Sequence, residues 1–400
     1  MKGKLLKIFM VVSFIAGISY SCGLQGDKPL VIWHDKEDEV IDVIKEEIEK
    51  KLPDEKVTFI RKENLTDNLK LVGNDPKSAP DMYIFAHDKI GLFATIGILE
   101  PMANLISEEA LDDYYDFTTQ AVSYDGVLYG LPLYFETLLF MYNKEKMDVP
   151  PSTTEQLYDY MASHTDSRRY GFVEQHSTPY YSAGWINGFG GEILNNDGTP
   201  GLTDEKTEEA LEYHKKFITY MPKGSAEYAT VNTLFTNKSA DSIIGGPWLV
   251  PSAREAGIDL GIASMPTIDP VGQPIEPYAG IQGIQVLKVA VQDEAKKERI
   301  ENLLKVFLEP ELQANLALTA GCAPANEKAY DLDEIKDNEL VQAIKDAGLN
   351  ALPMPNRPEM DVMWTVLGNL LSDINIKGLD VKESCEKYQE EAERLIALMK

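Results

Sequence analysis

Short apolar runs alternate with amphipathic stretches near the start of the chain. Leu30–Trp33, Val57–Ile60 and Met82–Phe85 have the length and the apolar content of buried strands. The stretch between the first two carries its apolar residues on one helical face, namely Val40, Ile41, Ile44 and Ile48. Such strand–helix–strand alternation predicts an α/β fold with a mainly parallel sheet covered by helices.

Polar side chains directly follow two of these predicted strands. Asp35 and Lys36 come after the first strand, and His87 and Asp88 come after the third. Ligands of parallel sheets bind beyond the carboxyl ends of the strands. We therefore expect these four residues at the rim of a ligand site.

A second region begins after Asn143. Pro150–Thr154 is a helix breaker followed by a helix start. Further along, an aromatic and glycine-rich run covers residues 180–191, and Ser242–Gly246 predicts another strand. Because 400 residues exceed what one hydrophobic core usually serves, we expect two lobes.

The first 22 residues have the pattern of a signal peptide. Three lysines precede the apolar segment Ile8–Ile18, which is too short to span a bilayer comfortably. Ser19 and Ser21 suit the cleavage of a soluble secreted protein, whereas Cys22 resembles the lipid-attachment cysteine of bacterial lipoproteins. We favour the second interpretation, which predicts lipid attachment at Cys22 and a location outside the cytoplasm, anchored to a bacterial membrane.

The composition is strongly acidic, with 65 acidic against 38 basic residues and a formal net charge of -27. Such a charge repels phosphate backbones, so we expect no nucleic-acid partner. It also argues against an anionic ligand. The apolar share of 44% is ordinary for a soluble globular protein, so the charge does not indicate disorder.

Signatures of catalysis and of cofactor binding are missing from the sequence. It has no G-x-S-x-G, no G-x-x-x-x-G-K-[ST] and no H-E-x-x-H motif, and its five histidines lack metal-ligand spacing. We therefore expect no catalytic residues, no cofactor and no metal. Cys385 falls on the apolar face of a closing helix, and its pairing with Cys322 stays open.

Aromatic residues stand close to carboxylates or to turn residues at several predicted loops. Phe85 lies near Asp88, and Phe135 directly precedes Glu136. The aromatic residues near glycine or proline are Tyr180, Tyr181, Trp185, Trp248 and Trp364. Sugars stack their C–H faces on aromatic rings, and their hydroxyls form strong hydrogen bonds with ionised carboxylates. The pattern favours carbohydrate binding, although each residue taken singly also suits the core or a solvated surface.

A succession of short segments extends this interpretation over nearly the whole mature chain. In order, the segments are Leu30–Trp33, Ala86–Asp88, Gly97–Leu99, Tyr129–Pro132, Tyr142–Lys144, Pro179–Tyr180, Gly246–Trp248 and Met354–Asn356. No single tripeptide is specific, but their order resembles that of the maltose/maltodextrin-binding proteins, which are extracellular solute-binding proteins of ABC sugar importers.

The resemblance implies two lobes that close on a sugar about a hinge. The N-terminal lobe is expected to comprise residues 27–135 with 281–328, and the C-terminal lobe residues 138–278 with 332–400. The chain crossings between the lobes are expected near Tyr134–Leu138, Tyr278–Gln282 and Ala325–Asp331.

The resemblance also implies which residues contact the sugar. Hydrogen bonds to hydroxyls are expected from Asp35, Lys36, Asp88, Lys89 and Glu136. Aromatic contacts are expected from Phe85, Tyr180, Tyr181, Trp248 and Trp364. Phe85 and Lys89 stand where the best-known members have Trp and Arg, and Gly368 replaces a basic residue. The preferred length and linkage of the sugar therefore stay open.

The function that the resemblance implies is capture of a maltodextrin-type oligosaccharide and its delivery to the membrane permease subunits of an ABC importer, by a monomer without catalytic activity. Three alternatives stay open. One is a binding protein for another di- or oligosaccharide, such as trehalose. Another is a secreted glycosidase that uses Asp88 and Glu136 as its carboxylate pair. The third is a surface lipoprotein that acts as an adhesin or sensor partner.

Overall fold

The structure is a computed structural model that describes residues 28–223 and 227–399. The predicted signal peptide and Cys22 lie outside the described residues. In chain order the strands are β1 (Leu30–His34), β2 (Val57–Arg61), β3 (Met82–Ala86), β4 (Ser123–Tyr124), β5 (Val127–Leu128), β6 (Gly130–Thr137), β7 (Leu139–Asn143), β8 (Ser242–Gly245), β9 (Leu260–Ala263), β10 (Thr267–Ile268), β11 (Gln273–Pro274), β12 (Tyr278–Val286), β13 (Ala323–Pro324) and β14 (Leu352–Pro353).

The helices, again in chain order, are α1 (Asp38–Lys51), α2 (Leu65–Val72), α3 (Ile90–Thr95), α4 (Asp116–Ala121), α5 (Thr154–His164), α6 (Pro179–Gly188), α7 (Glu205–Ile218), α8 (Tyr228–Thr236), α9 (Val250–Glu255), α10 (Glu294–Leu308), α11 (Pro310–Ala320), α12 (Asp333–Lys336), α13 (Glu339–Leu349), α14 (Met360–Asn375) and α15 (Val381–Ala397). Within residues 28–223 and 227–399, no helix is long and apolar enough to cross a membrane.

The first sheet has seven strands in the order β13-β6-β12-β3-β1-β2, with β14 paired to β12. The three strands predicted near the start of the chain are confirmed as β1, β2 and β3, and β1 is parallel to both of the others. The expectation of a mainly parallel sheet holds only in part, because β12 is antiparallel to β3 and β6 and β13 is antiparallel to β6, whereas β14 is parallel to β12. The reason is that β6 carries the chain out of this sheet and β12 brings it back.

The second sheet, β8-β7-β9, is antiparallel throughout. Its strand β8 confirms the strand predicted at 242–246. Leu138, which is 1% exposed, is the one residue between β6 and β7. The backbone therefore passes from the first sheet to the second within a single residue, and the two sheets with their helices form the predicted two-lobed α/β fold.

Helices α14 and α15 close the second lobe. They pack against each other, and they also contact α6 and α7. Asp380 caps α15 by accepting a hydrogen bond from Glu383 N, and the buried face of this helix includes Cys385 and Tyr388. This confirms the closing helix that the sequence predicts. Cys322 and Cys385 are both buried free thiols, so they form no disulfide with each other.

Helices α12 and α13 lie beside the first sheet. Helix α13 contacts β6 and β13, and α12 contacts α11. Gly348 of α13 approaches Phe135 so closely that a Cβ there would lie 2.6 Å from the ring. The predicted division places residues 332–400 in the C-terminal lobe, yet α13 contacts strands of the N-terminal lobe and α12 contacts α11. The chain enters the second lobe after β14, where α14 begins.

Candidate functional site

Two neighbouring cavities open where β1, β3 and β6 end. The large cavity has a volume of about 670 Å³ and is lined by Asp35, Phe85, Lys89 and Trp364 among others. The small cavity has a volume of about 250 Å³ and is lined by Asp35, Lys36, Glu136 and Trp248 among others. Asp35 belongs to both, so the cavities are parts of one cleft. Seven of the ten predicted ligand residues therefore line this cleft.

Asp35, Lys36 and Glu136 form the polar side of the small cavity. Lys36 Nζ lies 2.7 Å from Asp35 Oδ1, and Gln282 Nε2 donates to Glu136 Oε1 at 2.7 Å. Desolvation raises the pKa of Glu136, although the positive charge of Lys36 opposes the shift. These groups hold each other in place, so a sugar hydroxyl would meet acceptors that are already oriented.

Asp88 and Lys89 follow β3 and face the second lobe. Trp364 Nε1 donates to Asp88 Oδ2 at 2.8 Å, so the cleft tryptophan of α14 is tied to the first lobe. Lys89 Nζ lies 3.2 Å from Asp88 and 3.1 Å from Asp361, and Lys70 also pairs with Asp361, at 2.6 Å. Asp88 thus acts by fixing the Trp364 ring, while Lys89 itself lines the large cavity.

Trp248 comes directly after β8, within the short helical turn Pro247–Leu249. Its ring folds back over Gly246, where a Cβ would lie only 2.1–2.3 Å from three ring carbons. Real Cβ atoms do not approach so closely, so only glycine at position 246 permits this ring position. Tyr228, at the start of α8, lines the same cavity. The second lobe therefore presents two aromatic side chains to the small cavity.

Tyr180 and Tyr181 lie on α6 and line neither cavity. The Tyr180 hydroxyl donates to Tyr278 O at 3.3 Å, and its ring meets Tyr181 edge-on with centroids 5.8 Å apart. A Cβ on Gly280 would lie 3.8 Å from the Tyr180 hydroxyl and 3.7 Å from Glu136 Cγ, so Tyr180 lies next to the cleft. Tyr181 is 7% exposed and belongs to the core of the second lobe.

His87 ties the crossing segments together behind the cleft. Its Nδ1 accepts a hydrogen bond from Ile281 N at 3.1 Å, and its Nε2 donates to Met354 O at 3.0 Å. Burial lowers the pKa of His87. The neutral imidazole therefore joins the end of β3 to β12 and to the segment that follows β14, which lead into and out of the second lobe.

A second polar cluster lies buried inside the second lobe. His214 Nε2 is hydrogen-bonded to Glu174, and Trp185 Nε1 donates to the other carboxylate oxygen of Glu174 at 3.2 Å. The His214 ring also stacks on Trp185. Burial lowers the pKa of the neighbouring His176 to about 4, with a further contribution from the charge of His214. Trp185, which the sequence places in an aromatic run, is thus a core residue.

Sequence reasoning missed several residues that the fold brings to the cleft. Those that line it and were not predicted include Arg61, Lys62, Tyr134, Tyr228, Gln282 and Asp361. The sequence could have indicated Asp361, because this residue precedes Trp364 by three positions and so lies on the same face of a helix. The sequence could not have indicated Gln282, because a single glutamine in an apolar strand does not show to which face its side chain points. Among the described residues, no group of His, Cys, Asp and Glu could hold a metal ion.

Comparison with known proteins identifies the family of the chain. Residues 44–343 match the family described as bacterial extracellular solute-binding protein. A maltotriose-binding protein of Pyrococcus abyssi is 30% identical over 92% of this chain and 82% of its own length. A galactooligosaccharide-binding protein of Bacillus subtilis is 27% identical over 91% of this chain and 88% of its own length.

A solved structure gives the same result at the level of the fold. The maltose/maltodextrin-binding domain from Bdellovibrio bacteriovorus, bound to maltotriose, superposes with a TM-score of 0.84 and 26% identity, covering 92% of this chain and 100% of that one. The family match spans more than half of the chain, and the two-lobed fold is shared. The chain therefore belongs to the family of bacterial extracellular solute-binding proteins.

Proposed function

We propose that the protein captures a maltodextrin-type oligosaccharide outside the cytoplasmic membrane and delivers it to an ABC importer. The observation that carries the proposal is the cleft itself. One of its walls presents oriented carboxylates and lysines, and the opposite wall presents the rings of Trp248 and Trp364. A sugar has both a hydroxylated edge and apolar C–H faces, so it complements the two walls at once.

The similar proteins support the ligand class. The Pyrococcus abyssi relative is a maltotriose-binding protein, and the Bdellovibrio bacteriovorus domain was solved with maltotriose. The Bacillus subtilis relative is a galactooligosaccharide-binding protein, so a galactooligosaccharide belongs among the ligands to be tested. The combined cavity volume suits an oligosaccharide rather than a single sugar ring, since small-molecule sites fall at about 300–1,000 Å³.

Capture would proceed by closure of the two lobes. The polar residues follow strands of the first lobe, whereas Trp248 and Trp364 belong to the second lobe, so a sugar between them contacts both. A ligand shifts the equilibrium toward the closed form only if it binds that form more tightly than the open form. A difference in binding free energy of roughly a few kcal/mol is enough. Release to a permease then requires the lobes to separate again. A monomer suits this cycle.

The predicted lipid anchor completes the proposal. Attachment at Cys22 would keep the protein at the membrane surface near its permease, since each buried CH₂ of an acyl chain contributes about 0.8 kcal/mol. Mass spectrometry of the protein purified from membranes tests this directly. Acylation of Cys22 is expected, and cleavage before an unmodified cysteine would contradict the anchor.

Calorimetric titration of the protein lacking residues 1–22 tests the ligand class. Maltose, maltotriose, maltotetraose, trehalose, cellobiose and a galactooligosaccharide form the panel. We expect the α-linked glucans to bind, with a negative heat-capacity change as the rings become covered. Binding of the galactooligosaccharide or of trehalose in their place would overturn the maltodextrin assignment and leave the sugar-binding cleft. Absence of binding to the whole panel would overturn both.

Glycoside hydrolysis is the second candidate function, and one observation favours it. Desolvation raises the pKa of Glu136, and a raised carboxyl pKa is what a general acid requires. Against it, Asp88 already accepts from Trp364 and pairs with Lys89, and the family consists of solute-binding proteins. Incubation with maltoheptaose followed by chromatography decides between the two. Shorter products that disappear in a Glu136→Gln variant would establish the hydrolase.

A further inference from the structure

Gln282 is a buried polar residue beside the small cavity, and it has an unpartnered atom. The residue is 5% exposed, and its amide nitrogen donates to Glu136 Oε1 at 2.7 Å. Its amide oxygen is shielded from solvent and has no hydrogen-bond partner among the described residues. Buried oxygens without a partner are rare in folded proteins, and each one calls for an explanation such as a water or a ligand.

The backbone explains how Gln282 comes to face the cavity. Strand β12 pairs with β6, and the register between them shifts at Gln282 and Gly283. Such a bulge re-aims a side chain and is common next to functional sites. A Cβ on Gly283 would lie 3.0 Å from Leu131 O, so a residue without a side chain suits the close approach of the two strands here. The irregularity thus sits at the one place where β12 borders the small cavity.

The surroundings of Gln282 leave a place for a donor. The cavity beside it is also lined by Trp248, Tyr228 and Lys36, and Lys36 already pairs with Asp35. A sugar in this cavity would lie among Trp248 and the linked side chains of Glu136 and Gln282, because all three line it. The Glu136 carboxylate and the Gln282 amide oxygen are neighbouring acceptors, and a rotation of the Gln282 side chain is needed to turn its shielded oxygen to a hydroxyl in the cavity.

We propose that the amide oxygen of Gln282 accepts a hydrogen bond from a hydroxyl group of the bound sugar, which makes Gln282 a specificity-determining residue of the small cavity. The inference rests on the proposed function and deepens it, because it assigns the small cavity to a ring with a free hydroxyl at one defined position. A site built to bind a hydroxyl rejects an analogue that lacks it, because the buried acceptor is then left unpaired.

The test compares the wild-type protein with Gln282→Leu against maltotriose and a panel of its monodeoxy derivatives, by calorimetric titration. In the wild type, one monodeoxy derivative should bind roughly five- to tenfold more weakly than its parent, which corresponds to one lost hydrogen bond. In Gln282→Leu, maltotriose itself should bind more weakly than it does to the wild type. The difference in affinity between maltotriose and that same derivative should vanish. Penalties for removing other hydroxyls should stay.

Gln285→Leu is the matched control, because it makes the same change three residues further along β12. Gln285 is fully buried away from the cleft, and its amide nitrogen, oriented to satisfy its hydrogen bonds, donates to Tyr83 O at 3.2 Å and Gly283 O at 3.3 Å. This variant should lose thermal stability. It should keep its affinity for maltotriose and show the same loss of affinity for each deoxy derivative as the wild type does. It therefore separates loss of a ligand contact from loss of a buried polar contact.

Three results would overturn the inference. The first is unchanged affinity of Gln282→Leu, which would mean that a buried water satisfies the oxygen. The second is weaker binding with every deoxy penalty intact, which would mean that Gln282 acts by holding Glu136. The third is failure of the wild type to bind maltotriose, which would remove the proposed function and this inference together.

Discussion

The two lobes contribute chemically different walls to the same cleft. The first lobe supplies groups that already pair with each other, such as Lys36 with Asp35 and Lys89 with Asp88. The second lobe supplies rings and one carboxylate, Asp361 of α14, while its Glu174–His214 pair is buried in the interior of that lobe. The first wall therefore presents mostly charged groups, and the second wall presents mostly the apolar surface of rings.

The two walls therefore contribute to binding in different ways. Rings bury area against any flat sugar face, so they supply affinity with little selectivity. Paired and oriented polar groups accept hydroxyls at fixed positions, and because they need no further ordering, less entropy is lost on binding. The Trp364–Asp88 hydrogen bond joins the two walls, since it fixes a ring of one lobe with a carboxylate of the other.

Burial of His176 in the second lobe should make the stability of the protein fall in acid, in addition to any contribution from His87 of the first lobe, whose pKa burial also lowers. The pKa of His176 falls from 6.5 to about 4 on folding, so the unfolded chain binds a proton between these values while the folded protein does not. Stability should therefore decline as pH falls from 6.5 to 4, by up to about 3 kcal/mol. His176→Gln should flatten this part of the pH profile of chemical denaturation. An equal slope in both proteins would remove His176 as the cause, and Glu174 and His214, which lie beside it, would be the next groups to examine.

Removal of either cleft ring should cause the largest loss of affinity. We expect Trp248→Ala and Trp364→Ala each to bind maltotriose at least about thirtyfold more weakly, as buried aromatic anchors do. Trp364→Phe keeps the ring but loses the donor to Asp88, so it should fall between Trp364→Ala and the wild type. Trp185→Phe is the control, since Trp185 is in the core and should affect stability alone. Wild-type affinity in both alanine variants would disprove the site.

Gly246→Ala should weaken binding although it replaces none of the side chains that line the cleft. The new Cβ would overlap the Trp248 ring, which must then leave its position over the backbone. A displaced ring stacks poorly, so we expect roughly tenfold weaker binding of maltotriose by calorimetry. Gly272→Ala is a control for lost stability alone, because its left-handed backbone (φ 68°) strains any side chain, although the new Cβ would meet no atom within 4 Å. Unchanged affinity of Gly246→Ala would show that the ring position is not needed.

Salt should have the smallest effect. The charges of the first wall pair with each other, and an oligosaccharide carries none, so no net charge is brought together on binding. Raising the ionic strength from about 0.05 M to about 0.5 M, which shortens the screening length severalfold, should change the affinity for maltotriose less than about twofold. A steep salt dependence would indicate that unpaired charges contact the ligand.

The sequence was most informative where periodicity and strand ends decide the structure. The first three strands were predicted within one residue of their ends, because each is an apolar run bounded by polar residues. Placement of Asp35 and Asp88 beyond strand ends followed from the geometry of parallel sheets. The sequence did not predict that β12 runs antiparallel to its neighbours. The direction of a strand depends on the lobe from which the chain enters the sheet, and no local sequence pattern indicates it.

The site was less accessible to sequence reasoning where it depends on tertiary contacts. Gln282 reaches the cavity because of a register shift between two strands that are more than a hundred residues apart in the chain. Asp361 pairs with Lys70 and Lys89, which only the folded chain brings near. Tyr181, expected at the site by resemblance, is buried in the core and lines neither cavity.

The single residue between β6 and β7 has a consequence for unfolding. Because Leu138 is buried and joins the two sheets directly, neither sheet can lose its order without exposing the end of the other. One apolar cluster reinforces this, since it contains Trp33 and Phe135 from one lobe and Met141 and Phe235 from the other. Heat should therefore melt both lobes in one cooperative transition, which calorimetry would show as a single peak with equal calorimetric and van't Hoff enthalpies.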